Sequence, residues 1–280
     1  MSEQPYTHNY ATKSIPDVLY TRAEGIPLYL NIIQPDPLPA ELMPVVVYIH
    51  GGGWEGGDHT GTENAFLAAQ GFFTVNVQYR LSGQAIFPAQ LQDVKAAIRW
   101  LRANAAQYHI DPERIGVWGH SAGGHLASFI GTSAYARKLE GIDSEFSYPS
   151  NVQAVVDLSG PSNLLTMGGT HNDPGSPEAR LIGAPLQENK ELARRANPIS
   201  YIQPGKLPPF LIIHGTKDDI VPFNQAQELY TALTQAQAEV TLHPIEGENH
   251  MYSNLPDSWQ TIYRLTLNFF NKHLKAEHIR

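Results

Sequence analysis

Arg114-Ile115-Gly116-Val117-Trp118-Gly119-His120-Ser121-Ala122-Gly123-Gly124-His125-Leu126-Ala127-Ser128-Phe129-Ile130 is the stretch from which the rest of the chain can be read. Its first five residues are a short apolar run that suits a strand. Its last seven are a small-residue stretch of helical character. Between them stands Gly119-His120-Ser121-Ala122-Gly123, a Gly-x-Ser-x-Gly. Between a strand and a helix this pattern makes a nucleophile elbow, a turn so sharp that only small residues fit at its flanking positions. The serine then stands at the carboxyl end of the strand, with the helix N-terminus beneath it. Ser121 is therefore the candidate nucleophile, and the strand and helix around the motif carry the reading more than its five residues do.

A serine hydroxyl is a poor nucleophile at neutral pH and needs a base, which in turn needs an orienting carboxylate. Working outward from Ser121, both partners follow in the order that this architecture uses, serine, then acid, then histidine. His214-Gly215-Thr216-Lys217-Asp218-Asp219 follows the apolar run Phe210–Ile213, and Glu246-Gly247-Glu248-Asn249-His250 follows Val240–Pro244. Parallel strands bring their carboxyl ends to one edge of a sheet, so Ser121, Asp218 and His250 can converge although they are far apart in the chain. A tetrahedral intermediate also needs donors for its oxyanion. His50-Gly51-Gly52-Gly53-Trp54 follows the run Val45–Ile49. Its glycines let backbone N–H groups turn inward, so Gly52 and Gly53, with Ala122 after the nucleophile, are the candidate oxyanion donors.

The wider pattern fits these placements. Apolar runs at Val45–Ile49, Phe73–Tyr79, Arg114–Trp118, Ala154–Leu158, Phe210–Ile213 and Val240–Pro244 are nearly continuous, as in strands buried on both faces of a parallel sheet. Helical periodicity separates them, most clearly over Pro88–Tyr108, Asn224–Gln237 and Ser258–Leu274. Residues 17–33 predict a hairpin turning at Gly25. The alternation predicts an open α/β sheet in a single domain spanning residues 1–280. The stretch 161–209, rich in Gly, Pro and Asn with one helical piece over Pro185–Ala196, is too long for an ordinary connection and predicts a lid over the site.

Composition bounds the function. The chain has 280 residues, 42% of them apolar, with 19 Lys and Arg against 27 Asp and Glu. The resulting charge of −8 and the lack of a basic patch speak against a nucleic-acid partner. The absence of cysteine excludes thiol chemistry and Cys-ligated metal. No apolar run approaches the length of a membrane span. The N-terminal residues lack a signal-peptide pattern, which predicts a cytoplasmic protein and leaves a secreted mature form open.

These residues resemble the carboxylesterases of the α/β-hydrolase fold, of the hormone-sensitive-lipase-like kind with a His-Gly-Gly-Gly-Trp loop. Within that group the chain most resembles the bifunctional feruloyl and acetyl-xylan esterase-like proteins. The resemblance rests on Val46–Trp54, Tyr79-Arg80-Leu81, Phe87-Pro88-Ala89, Gly119–Ala127, Ser176–Ile202 and His214–Pro222, which span most of the chain. It implies Ser121 as nucleophile, His250 as general base and Asp218 as its orienter. The His-Gly-x-x-Asp-x-x-Val-Pro register places the acid at Asp218 and leaves Asp219 on a variable position. It implies no cofactor and no metal. It also implies a small-molecule or oligosaccharide ester as substrate, in a monomer or homodimer. One departure is Gly160-Pro161-Ser162-Asn163, where such proteins often carry Gly-Pro-Thr-Asp. An amide there replaces a carboxylate near the site and is expected to alter substrate contacts.

Other residues are weighed against blander roles. Trp54 and His120 are candidate substrate contacts, Trp54 because it follows the oxyanion glycines. Tyr79, Phe87, Leu165 and Met167 are candidate apolar walls. His50, His125 and His214 read as structural, and the arrangement of His243, Glu246 and His250 on a strand end and turn lacks metal-ligand spacing. Arg80 and Asp93 are expected, from the resemblance, to pair across a strand–helix corner. Two other activities compete with an esterase: an arylformamidase or amidase on the same fold, and a ligand-binding protein without catalysis, against which the three residues Ser121, Asp218 and His250 all argue.

Overall fold

The structure, a computed structural model, describes residues 9–141 and 147–275. Eight strands form one sheet: β1 (Ala11–Ala23), β2 (Ile26–Asp36), β3 (Met43–Ile49), β4 (Phe73–Val77), β5 (Ile110–His120), β6 (Ala154–Leu158), β7 (Phe210–Gly215) and β8 (Val240–Ile245). Their order is β1-β2-β4-β3-β5-β6-β7-β8. β1 and β2 are the hairpin, and they and the β2–β4 pair are antiparallel. From β4 to β8 every neighbouring pair is parallel. The helices are α1 (Ala65–Ala68), α2 (Ala89–Ala103), α3 (Ala105–Tyr108), α4 (Ala122–Thr132), α5 (Pro177–Ile182), α6 (Lys190–Arg195), α7 (Asn224–Gln235) and α8 (Ser258–Leu274).

The near-continuous apolar runs are explained by cover on both faces of the sheet. Side chains alternate along a strand. Val45, Val47 and Ile49 of β3 join a core with Leu91 and Val94 of α2, Leu126 and Phe129 of α4, and Leu229 of α7. Val46 and Tyr48, one register on, join the opposite core with Leu67 of α1 and Ile262, Phe270 and Leu274 of α8. A strand with helices on either side has no solvated face on which to place polar residues.

Boundaries depart from the expectations where local bonding takes over. The strand expected to reach Tyr79 ends at Val77, and Arg80 N donates to Asp93 Oδ2 at 2.9 Å instead. The strand expected over Arg114–Trp118 extends to Ile110–His120 because Ile110 pairs with Met43 across an irregularity. The helix expected over Pro88–Tyr108 breaks at Asn104 (φ −103°, ψ 14°), whose Nδ2 donates to the Trp100 carbonyl at 2.8 Å. In the 161–209 stretch, helix forms over Lys190–Arg195 rather than Pro185–Ala196, and α5 precedes it unforeseen. The expected corner pair is present and two-pronged: Arg80 Nε lies 2.9 Å from Asp93 Oδ2 and Nη2 lies 2.9 Å from Oδ1, both side chains buried.

Candidate active site

The turn from β5 to α4 presents Ser121. Its backbone has φ 59° and ψ −121°, a conformation that L-residues adopt rarely and that a tight elbow requires. Its N–H donates to the Leu158 carbonyl at 2.8 Å, which ties the elbow to the end of β6. The small residues of the motif answer a steric demand. A Cβ on Gly123 would collide with the Ile49 carbonyl of β3. The register that pairs Ile49 with Gly119 thus sets the exit of β3, and with it the loop His50–Gly53, against the nucleophile turn.

β7 and β8 deliver the partners. Asp218 lies in the turn after β7, and its Oδ2 stands 2.7 Å from His250 Nδ1, in the loop after β8. The same oxygen lies 3.2 Å from Nε2 of the buried His214. The other oxygen, Oδ1, accepts the N–H groups of Ile220 at 3.0 Å and Val221 at 2.7 Å. Burial alone would raise the Asp218 pKa. The hydrogen bonds from His214 and His250 outweigh it and hold the carboxyl well below the usual range. Asp218 is therefore an anion, and it holds the Nδ1 proton of His250, which leaves Nε2 as the acceptor. The neighbouring Asp219 is exposed.

Ser121 and His250 line one cavity of about 640 Å³ together with Gly51, Gly52, Gly53 and Ala122. The glycine loop is shaped from within. Gly52 has φ 106°, and a Cβ there would collide with the Gly56 backbone. Its carbonyl accepts the N–H groups of Glu55 and Gly56, both at 3.0 Å, so the loop closes on itself. His50 supports it as expected of a structural residue. Its Nδ1 lies 2.8 Å from the Gly51 carbonyl and its ring stacks on Tyr79 at 4.2 Å, while the Tyr79 hydroxyl donates to the His50 carbonyl.

The candidate substrate contacts have other work. His120 lines the cavity, but its Nε2 lies 2.9 Å from the His250 carbonyl and its ring sits 4.7 Å from the His250 ring. A carbonyl only accepts, which assigns the proton to Nε2. Burial and the neighbouring His250 lower the His120 pKa to about 4, so it is neutral and braces the His250 loop. Trp54 also borders the cavity but is 1% exposed, and its Nε1 donates to His125 Nδ1 at 3.2 Å. It packs beneath the wall and has no polar group left to offer a ligand. His125 passes the connection on through Nε2 to the Ala196 carbonyl at 2.8 Å. Of the expected apolar walls, Tyr79 lies under the glycine loop, Phe87 packs on Phe129, and Leu165 and Met167 pack into the main core. Asn163 does not alter the cavity as expected. Its amide is spent on Glu228, Asn197 and Leu165 N, away from the described lining.

Sequence reasoning missed a pair on the far wall. His171 Nδ1 lies 2.9 Å from Glu178 Oε1, and its Nε2 lies 2.8 Å from the carbonyl of Ile220, two residues beyond Asp218. His171, Pro177 and Glu178 bring the 161–209 stretch to the cavity lining. Hydrogen bonding to Glu178 outweighs burial and raises the His171 pKa, and the Ile220 carbonyl at the other ring nitrogen adds to the effect.

Comparison with known proteins agrees with this architecture. Esterase LipQ of Mycobacterium tuberculosis is 31% identical over 227 residues, 78% of this chain and 52% of the relative. The chain spans about half the length of the curated relatives it matches first. Among solved structures, a truncated form of a carbohydrate esterase from gut microbiota superposes with a TM-score of 0.84 at 31% identity, covering 96% of this chain and 99% of that one. An esterase, Est2, from Thermogutta terrifontis superposes with a TM-score of 0.74 at 26% identity, covering 96% and 93%. The model of the BD-FAE family matches residues 30–233. The chain belongs to the BD-FAE family and has the α/β-hydrolase fold of these esterases.

Proposed function

We propose that the protein is a serine carboxylesterase whose nucleophile is Ser121. The observation that carries the reading is the 2.7 Å contact between His250 Nδ1 and Asp218, with Ser121 and His250 on the lining of one cavity. His250 Nε2 takes the Ser121 proton as Oγ attacks the ester carbonyl. The oxyanion is held by the N–H groups of Gly52, Gly53 and Ala122. His250 then gives its proton to the departing alkoxide, which leaves as the alcohol, and an acyl-enzyme remains. Water, losing its proton to the same histidine, releases the acid and restores Ser121. Asp218 holds the Nδ1 proton and stabilises the imidazolium. The 161–209 stretch is the cap of this site.

The substrates are short-acyl or aryl esters, with acetyl or feruloyl esters of plant polysaccharides foremost among them. The likeness to a carbohydrate esterase supports this choice. The test is a panel of p-nitrophenyl acetate, butyrate and octanoate, methyl ferulate, acetylated xylan and N-formylkynurenine, with wild type beside Ser121→Ala. Turnover of short esters that falls by about 10⁴-fold or more in Ser121→Ala is expected. Turnover of N-formylkynurenine alone would replace the esterase with an arylformamidase. No serine-dependent turnover would end the catalytic reading.

A further inference from the structure

His214 is the last residue but one of β7, and its side chain is fully buried. Its Nε2 lies 2.8 Å from the Val221 carbonyl and 3.2 Å from Asp218 Oδ2. A carbonyl and a carboxylate only accept, so the ring carries its proton on Nε2. Nδ1 is buried and has no hydrogen-bond partner among the described residues, so a proton there would be a buried donor without an acceptor. The ring is therefore set to donate from Nε2 alone. Asp218 meets four donors. Oδ1 accepts the N–H groups of Ile220 and Val221, and Oδ2 faces His250 Nδ1 and His214 Nε2. Ile220, Val221 and His250 all sit in loops. His214 alone stands on a strand, in register with Pro244 of β8. Val221 closes the arrangement, because its N–H goes to Asp218 and its carbonyl takes the His214 proton.

We propose that His214 is a positioning residue for the reaction, which from the sheet holds Asp218 Oδ2 against His250 Nδ1 and takes up part of the carboxylate charge. The proposal rests on the esterase reading above. The first effect fixes where the base stands, because Asp218 and His250 are otherwise carried by loops. The second sets how strong the base is. A donor on the same oxygen competes with the imidazolium of His250 for negative charge, so it weakens the stabilisation of the protonated base. Without that donor the protonated base persists to higher pH. The other titratable groups nearby do not change charge in the working range. Burial brings the His120 pKa down to about 4, and it raises the Tyr252 phenol well above its ordinary value. Asp157, on the neighbouring strand β6, has donors of its own in the Ser128 hydroxyl and the Gly160 N–H.

The experiment uses the full chain, p-nitrophenyl butyrate and two variants that separate the donor from the ring. H214F keeps an aromatic ring and loses the donor. H214Q loses the ring and keeps an amide NH₂ at nearly the reach of Nε2. H214F is expected to lose about tenfold or more in kcat, with KM changed by less than about threefold. The acid limb of its kcat/KM profile is expected to move up by about half a pH unit. H214Q is expected to recover most of both changes. A loss in H214Q as large as in H214F would overturn the proposal and leave the ring a packing residue. So would an acid limb in H214F within about 0.2 pH units of wild type. Should H214F fail to fold, H214M serves as the variant without a donor. A second measurement needs no variant: heteronuclear NMR of the wild-type ring nitrogens is expected to show His214 protonated at Nε2, and a proton on Nδ1 instead would overturn the proposal. If wild type hydrolyses no p-nitrophenyl ester, the esterase reading has failed instead, and the NMR measurement tests the His214 contact by itself.

Discussion

The Asp218 carboxylate stands 2.7 Å from His250 Nδ1, and its pKa is held well below the carboxylate range by the two histidines that share Oδ2. If this contact sets the tautomer of His250, Asp218→Asn presents an amide that can hold the wrong tautomer. The expected result is a fall in kcat of about 10³–10⁴-fold on p-nitrophenyl butyrate with a much smaller change in KM. Asp219→Asn, at the exposed neighbour, is expected to stay within about twofold of wild type, as surface substitutions do. The reverse ranking would move the acid to Asp219.

The two histidines behind the site make a pH prediction. Burial lowers the pKa of His125, and of His120, from 6.5 to about 4. In the unfolded chain each takes up its proton near pH 6.5, whereas the folded protein does not bind it until about pH 4. Between those values the unfolded state holds more protons, so stability falls as pH falls. For His125 alone, ΔG of unfolding drops by about 2 kcal/mol between pH 7 and pH 5. Urea unfolding at both pH values checks this. His125→Gln is expected to be less stable at pH 7 and to lose about that much of the pH dependence. An unchanged pH dependence in the variant would show that His125 is not held neutral by burial.

Asp93 is a third case, in which stability and chemistry separate. Its carboxylate is buried, faces the Arg80 guanidinium with two contacts and accepts the Arg80 N–H. Asp93→Ala leaves that arginine without its buried partner and is expected to cost about 3–5 kcal/mol. Well below the melting temperature, kcat should change by less than about threefold, because Asp93 lies off the described cavity lining. Denaturant unfolding and a kcat measurement on the same preparation separate the two effects. A large loss of kcat at unchanged stability would place the pair in the chemistry.

What was legible in the sequence follows from how far each signal reaches along the chain. The core strands were legible because cover on both faces leaves their residues uniformly apolar. Ser258–Leu274 was legible to the residue because 17 residues hold enough turns for periodicity to emerge. Six residues do not, and α5 was missed, although Ser176-Pro177 at its start and Gly183 after its end are cap signals. Ser176 Oγ accepts the Ala179 N–H at 3.1 Å, and Gly183 takes φ 75°. The convergence of Ser121 and His250 on one cavity, with Asp218 against His250, was legible because each follows a strand, and strand ends share an edge. His171 and Glu178 were not, because the bond from His171 to Ile220 spans two loops with no spacing rule. Trp54 does border the cavity, but the bond its indole makes was not legible in the sequence. Adjacency to the oxyanion glycines gives its position, but φ of 58° turns the backbone and sends the indole to His125.

Glu248 makes the last prediction, two residues before His250. Its side chain is buried, and its carboxylate accepts the N–H groups of Asn249 at 3.2 Å, Asn254 at 3.0 Å and Leu255 at 2.7 Å, together with the Ser258 hydroxyl. Burial would raise its pKa, but these donors outweigh burial and lower it. One carboxylate therefore gathers the loop that carries His250 and fastens it to the first turn of α8. Glu248→Gln turns one acceptor into an NH₂ that faces donors, and the loop must open to relieve them. The expected outcome is a loss of about 2–3 kcal/mol in stability. A fall in kcat of about tenfold or more should accompany it, because a small displacement of the base costs rate. Ser258→Ala removes a single donor and should show a smaller loss of the same kind. Kinetics and denaturant unfolding of the two variants test the order. If both keep wild-type kcat, the position of His250 is set by Asp218 and His120 without this loop.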